Sequence, residues 1–219
     1  MTENSNMVIR RILLLFLLTG LLALLPACRN TTEPYHETFD APGNWSTDND
    51  AEVRGEVING VYEFEIKADT LTTWTTAGQN FSDGWYEVEA TQTDGPDNNL
   101  YGMLFRVNNE TEDFYAFQIS GDGYVWIGRY KNGGKTEATP IIGNWWFESA
   151  AIKQGAGITN RLKVRAEAGN LIFYVNDQEV GRITDNSFAK GDIGLIAGSL
   201  GQNGVVVQFD NFKVSPLEE

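Results

Sequence analysis

The chain has 219 residues, 42% of them hydrophobic, and sets 30 Asp and Glu against 16 Lys and Arg for a formal net charge of −14 at pH 7. A surface this acidic repels phosphates and anionic headgroups, which argues against nucleic acid and against adsorption on anionic lipid. With a single cysteine and a single histidine, the chain can form no internal disulfide, no His/Cys metal cluster and no convincing Ser–His–Asp set.

The N-terminus comes first. Arg10 and Arg11 precede an apolar run from Ile12 to Leu25, broken only by Thr19 and Gly20. At 14 residues the run is shorter than the about 20 that a spanning helix needs, and it has the anatomy of a secretory signal peptide. Its end, Leu25-Pro26-Ala27-Cys28, resembles the bacterial lipoprotein lipobox. The resemblance implies cleavage after Ala27 and a thioether-linked diacylglycerol on Cys28; two acyl chains hold a protein stably on a membrane. The other reading is a plain membrane anchor with an incidental cysteine. The expected layout is a signal peptide over 1–27, a lipidated Cys28 with a short tether over 28–34, and one domain over 35–216. Loss of Arg10, Arg11 and Glu3 takes the net charge from −14 to −15. The resemblance implies an address at the bacterial cell membrane, on the side facing out of the cytoplasm.

The folded part reads as strands. Residues 36–40 (HETFD) form a short first strand ending at Ala41-Pro42-Gly43. Residues 53–58 and 61–68 flank Asn59-Gly60, the strongest short-range hairpin signal. Residues 70–77 continue the pattern with threonines. In 84–93, Tyr86, Val88 and Ala90 alternate with Trp85, Glu87 and Glu89. After the 94–99 loop comes an aromatic meander: strands over 100–107, 113–119 and 124–130, turned at Asn108-Asn109-Glu110 and Gly121-Asp122-Gly123. A turn at 131–135 leads to 136–140 and to 141–148, which holds Trp145 and Trp146. Residues 152–159 are a Gly-rich loop. Strands follow over 160–168, 170–175, 178–183, 191–198 and 204–214, and 186–190 reads as one helical turn. About 12–14 short strands with turns every 8–12 residues and no sustained helical period mark an all-β, two-sheet antiparallel sandwich.

Several of these strands carry a resemblance. Residues 101–106 (YGMLFR), 113–117 (DFYAF), 121–124 (GDGY), 160–164 (NRLKV), 171–177 (LIFYVND), 191–195 (GDIGL) and 207–214 (VQFDNFKV) look, in their order, like the concanavalin A-like lectin/glucanase jelly roll. The likeness covers the chain from about His36 to Val214, near the laminin-G-like and 3-keto-disaccharide hydrolase-type branch. It implies two bent sheets with one concave face that takes a sugar, aromatic rings stacking on the sugar and polar side chains bonding its hydroxyls. It also implies a structural Ca²⁺ where the first and last strands meet, at positions matching Asp40 and Asp210.

Alternation sorts the meander. Gly102, Leu104 and Arg106 share one face of the first strand; Tyr101, Met103 and Phe105 share the other. Phe114, Ala116 and Gln118 separate from Tyr115, Phe117 and Ile119, and Tyr124, Trp126 and Gly128 from Val125, Ile127 and Arg129. Arg106 and Gln118 are poor core residues and go to the open face, although Arg106 equally reads as a structural arginine paired with Glu87 or Glu89. Trp126 reads as core or as a stacking platform. Of Trp145 and Trp146, adjacent in a strand, one is core and the other exposed. Trp85 is out of phase with its strand's apolar face and is an exposed candidate. Trp45 and Trp74 read as packing residues, and His36 as solvated.

Retaining glucanases of this fold carry a Glu-x-Asp-x-Glu run that places a nucleophile and an acid about 5–5.5 Å apart. The nearest match, Glu87-Val88-Glu89, has Thr91 where the third carboxylate would stand. Glu63 and Glu65 share a face but look like the solvent side of a hairpin. The expected function is therefore a lipid-anchored, non-catalytic domain binding polysaccharide or oligosaccharide through Trp85, Arg106, Gln118, Trp126 and Trp145. The alternatives are a glycoside hydrolase of the 3-keto-disaccharide type and an adhesion module that binds a protein partner.

Overall fold

The computed structural model describes residues 33–217, so the signal segment, Cys28 and most of the tether lie outside the described residues. The first strands are β1 (Tyr35–Glu37), β2 (Asp48–Asn49), β3 (Val53–Ile58), β4 (Val61–Ile66), β5 (Thr70–Thr76) and β6 (Gly84–Asp94). The meander is β7 (Asn99–Asn108), β8 (Asp113–Ile119) and β9 (Tyr124–Lys131). A short 3₁₀ turn over Asn132–Gly134 leads to β10 (Glu137–Pro140) and β11 (Phe147–Glu148). The chain closes with β12 (Thr159–Glu167), β13 (Asn170–Val175), β14 (Gln178–Thr184), β15 (Asp192–Leu200) and β16 (Val205–Ser215).

The strands form two antiparallel sheets. The nine-stranded sheet runs β14-β13-β12-β6-β16-β4-β3-β2, with β1 also on β16; the seven-stranded sheet runs β10-β9-β8-β7-β15-β5, with β11 also on β9. Period-2 alternation turns one face of each sheet inward. From the nine-stranded sheet come Phe64, Val88, Val164, Phe173 and Phe209; facing them are Met103, Phe105, Phe117, Ile127 and Leu195, all fully buried. Trp45 packs here too, against Phe39, Tyr62 and Phe212.

The seven-stranded sheet is covered on its outer face as well. Leu100, Leu104, Phe114, Ala116, Trp126 and Ile196 form a second buried cluster there, with Trp74, Tyr130 and Trp146 packed against it. This explains why β7, β8 and β15 are buried at nearly every position.

Three local expectations change. Residues 186–190 are not helical; they form an irregular loop held by Ser187 N–H on Asp185 and by Phe188 N–H on the Tyr115 hydroxyl. Trp145 and Trp146 lie in bends before β11, not in a strand. Backbone strain marks the third: Arg106 sits at φ 53° inside β7.

The β3–β4 turn tests the backbone logic alone. Asn59 and Gly60 both have positive φ, 53° and 79°, as a type I′ hairpin requires. A Cβ at Gly60 would meet only Asp40 Oδ1, at 3.9 Å. Gly60→Ala is therefore a pure backbone cost of about 1 kcal/mol, read as a lower urea midpoint at unchanged m-value.

Burial also sets an alkaline limit. It pushes the phenols of Tyr35, Tyr62 and Tyr115 up to about 12; Tyr62 donates to the Ser46 carbonyl at 2.7 Å. The native state holds these protons more tightly than the unfolded chain, whose tyrosines titrate near ~10. Their contribution is present below pH ~10 and is lost as pH rises toward 12. Tyrosinate absorbance and loss of sheet signal should rise together across that window, not in sequence.

Candidate functional site

Cross-strand register builds the outer face of the seven-stranded sheet. One row runs Trp74, Ile196, Gly102, Gln118, Trp126 across β5, β15, β7, β8 and β9. The next runs Thr76, Gly194, Leu104, Ala116, Gly128, Pro140. Small residues keep the floor low, and long rings lie across it. A Cβ at Gly128 would lie 2.3 Å from Cη2 of Trp126, so the indole rests on that glycine.

The rings join end to end. Trp74 meets Phe114 at 5.5 Å, and Phe114 stacks on Tyr130 at 5.0 Å. Tyr130 meets Trp126 edge-on at 5.4 Å, and Trp126 meets Trp145 at 6.3 Å. Exposure rises toward the end: Trp126 is 2% exposed and Trp145 56%. Gln118, buried beside Trp126, donates to the Tyr130 hydroxyl at 3.5 Å. Burial pushes the Tyr130 phenol up, and the Gln118 bond opposes that shift.

At the β8–β9 turn this face opens into a cleft of about 250 Å³ lined by Asn98, Asn99, Ser120, Asp122, Tyr124, Trp146 and Leu200. Asn99 and Ser120 are buried polar residues whose bonds fix the cleft's shape. Asn99 accepts from Gly121 N–H at 3.0 Å and donates to the Pro96 carbonyl at 2.7 Å. The Ser120 hydroxyl donates to Asp122 and accepts from Tyr124 N–H at 3.1 Å. A second cavity of about 190 Å³ lies at the opposite end, beside Trp74, Asn109 and Glu112.

The structure brings Gln118, Trp126 and Trp145 together and places the other expected residues elsewhere. Trp85 projects from the outer face of the nine-stranded sheet, with Lys163 Nζ 4.4 Å from its ring centre and Tyr174 at 6.0 Å. It cannot share a site with Trp126.

Arg106 is 1% exposed, not on the open face. A bulge in β7 is the reason: pairing with β8 shifts register between Phe105 and Asn108, and pairing with β15 shifts between Asp192 and Ile193. The guanidinium donates to the carbonyls of Ala168 and Phe188 at 2.9 and 3.0 Å and to Asp83 at 3.0 Å. It is a structural arginine, paired with Asp83 and not with Glu87 or Glu89.

Asp40 is exposed and takes the Thr38 hydroxyl at 2.7 Å; Asp210 takes Asn211 N–H at 2.6 Å. Among the described residues no group of three or more His, Cys, Asp or Glu is disposed to hold a metal.

The outward positions at the centre of this face carry Thr, Gly, aliphatic, aromatic and Gln side chains. Among the described residues Asp192 of β15 shares that phase; it pairs in register with Val107, is buried, and accepts from the Gly78 and Gln79 amides and the Asn109 side chain. Glu87 and Glu89 sit on the other sheet, Glu87 3.8 Å from Lys163 and Glu89 accepting from Asn211 at 3.0 Å. Glu63 and Glu65 hold Arg54.

Sequence reasoning missed Tyr124 and the Asn98–Asp122 rim of the cleft. Tyr124 was within reach, since it shares Trp126's phase on β9.

No protein-family model matches the chain, and no curated protein matches it. Solved structures do. A carbohydrate-binding module of the CBM66 type from Bacillus subtilis superposes with TM-score 0.61 at 21% identity, covering 80% of this chain and 97% of that one. A Bacillus licheniformis β-glucanase gives 0.60 at 13%, covering 84% and 98%. A lichenase from a mouse hindgut metagenome gives 0.61 at 14%, covering 84% and 99%. The chain has the two-sheet jelly-roll fold of the concanavalin A-like lectins and glucanases.

Replacing Arg106 tests its structural role. Arg106→Met strips the Ala168 and Phe188 carbonyls of their donor and should lower stability by about 3 kcal/mol. Arg106→Lys keeps the charge but not the fork, and should recover only part of it. Urea midpoints at constant m-value measure both.

Proposed function

We propose that this protein is a cell-surface lipoprotein whose jelly roll binds polysaccharide or oligosaccharide on the outer face of the seven-stranded sheet, without cleaving it. The carrying observation is the largely exposed Trp145, set edge-on against the buried Trp126 at the end of a file of packed rings. Pyranose rings present C–H faces that stack on such surfaces, and a few fixed polar groups beside an apolar wall set orientation. The absence of a carboxylate pair at the outward strand positions supports binding over hydrolysis. The Bacillus subtilis neighbour is described as a carbohydrate-binding module, which supports the ligand class. Export and the Cys28 anchor enter from the lipobox resemblance and would hold the domain close to the membrane, with only 29–34 between them.

A glycan array with purified protein, in calcium and in chelator, tests this reading. Saturable binding should weaken about tenfold in Trp145→Ala, ~1.4 kcal/mol of lost stacking, and stay unchanged in Trp85→Ala. Loss in Trp85→Ala alone would move the site to the nine-stranded sheet. Binding lost in chelator would bring Asp40 and Asp210 back as calcium ligands. A blank across neutral and acidic polysaccharides would end the glycan reading and favour a protein partner. Mass-labelled palmitate or glycerol appearing on Cys28, and not in Cys28→Ser, checks the anchor.

A further inference from the structure

The cleft at the β8–β9 turn says more about the ligand than the aromatic file does. Its volume of about 250 Å³ is below the ~300 Å³ floor of ordinary ligand pockets, a size for a single sugar residue. Tyr124 and Trp146 supply ring surface, and the buried Asn99 and Ser120 hold the floor rigid through their own bonds.

Charge is one-sided here. No Lys or Arg is among the lining residues, while Asp122 is, and its exposed carboxylate takes the Ser120 hydroxyl on one oxygen. Glu148 stands at the rim, accepting the Tyr124 hydroxyl at 3.0 Å. That carboxylate's hydrogen bond and charge push the Tyr124 phenol up. One N–H of each of the Asn98 and Asn99 side-chain amides is engaged, on the carbonyls of Leu200 and Pro96. The charge at the cleft and its rim is all negative, and the carboxylates there are acceptors.

Resting on the glycan reading above, we infer that this cleft is a subsite for one sugar residue that offers hydrogen-bond donors, hydroxyl or ammonium, and carries no anionic group. Such a residue satisfies the acceptors at Asp122 and the rim. A uronate or sulfated sugar would set like charges side by side in a partly dry cleft, which costs several kcal/mol when uncompensated. The exposed Trp145, next to Trp146 in the chain, then receives the adjoining residue.

Calorimetric titration of the full-length protein with oligomers of matched length made of glucose, glucosamine or glucuronic acid tests this. Glucose and glucosamine oligomers should bind, and glucuronate oligomers at least tenfold more weakly at low salt. Asp122→Asn and Glu148→Gln should each shrink that gap; Glu148→Gln lies outside the Ser120–Asp122 turn and keeps the test open if Asp122→Asn unfolds it. Glu167→Gln, the same charge change on the other sheet, should leave the gap as it was. Equal binding of all three oligomers, an unchanged gap in Glu148→Gln, or equal relief from Glu167→Gln would each overturn the inference while leaving glycan binding in place. A blank with all three, together with a blank array, would remove the glycan reading itself.

Discussion

The central strands of the seven-stranded sheet, β7, β8 and β15, have no face to give to water. The sheet's inner face closes the main core, and its outer face is paved by Leu100, Leu104, Phe114, Trp126 and Ile196. A sheet buried on both sides needs apolar or glycine residues at every position of its central strands, and β7, β8 and β15 have them. Left bare, the outer paving would be a large apolar patch of the kind that marks an interaction surface or an aggregation liability. Trp74, Tyr130 and Trp146 cover most of it, and the cover itself forms the ring surface on which the functional reading rests.

The charged residues divide into two populations. Most cations are spent in half-exposed pairs: Arg54 with Glu56, Glu63 and Glu65, Arg129 with Glu137 and Asp185, Arg182 with Glu179. Pairs of that kind contribute ~0–1 kcal/mol each. They leave the surplus carboxylates to give the chain its negative surface. Arg106 and Asp192 behave differently. Asp192 is buried and takes the amides of Gly78 and Gln79 and the Asn109 side chain, each at 2.8 to 2.9 Å. Arg106 ties the 83, 168 and 188 segments to β7. The bulge that aims Arg106 inward therefore also fixes the loops at that end of the sandwich.

Much of this was readable from residue patterns, and the failures have causes. Strand positions and the two faces of the meander follow from strict alternation and from turns such as Asn59-Gly60 and Asn176-Asp177, where positive φ is required and the residues tolerate it. Phase counting broke at Arg106 because a bulge inserts an extra residue, and nothing in the local composition announces one without glycine. Trp145 and Trp146 were assigned opposite faces on the premise of a strand; in bends that premise has no force, and both lie on the same side, one exposed and one packed on the second cluster. Trp74, read as a packing residue, does pack on the second cluster, although the threonines on both faces of its strand, Thr-Leu-Thr-Thr-Trp-Thr-Thr, hide which face it takes.

Binding and cleavage make opposite demands on such a surface. A hydrolytic groove must hold two carboxylates on neighbouring outward positions and tune them apart, which requires polar, partly hydrated surroundings at the floor. Here those positions are Gly102, Leu104, Ala116, Gly128 and Gly194, closed over by indole and phenol rings. A carboxylate introduced there would be desolvated and without a partner, a severe penalty in its charged form. The buried rings, by contrast, order one another and give the exposed Trp145 a rigid base. Trp145 alone, largely exposed, has rotamer freedom left to lose. The packing that orders the outer face thus also leaves no outward position at its centre for a carboxylate pair.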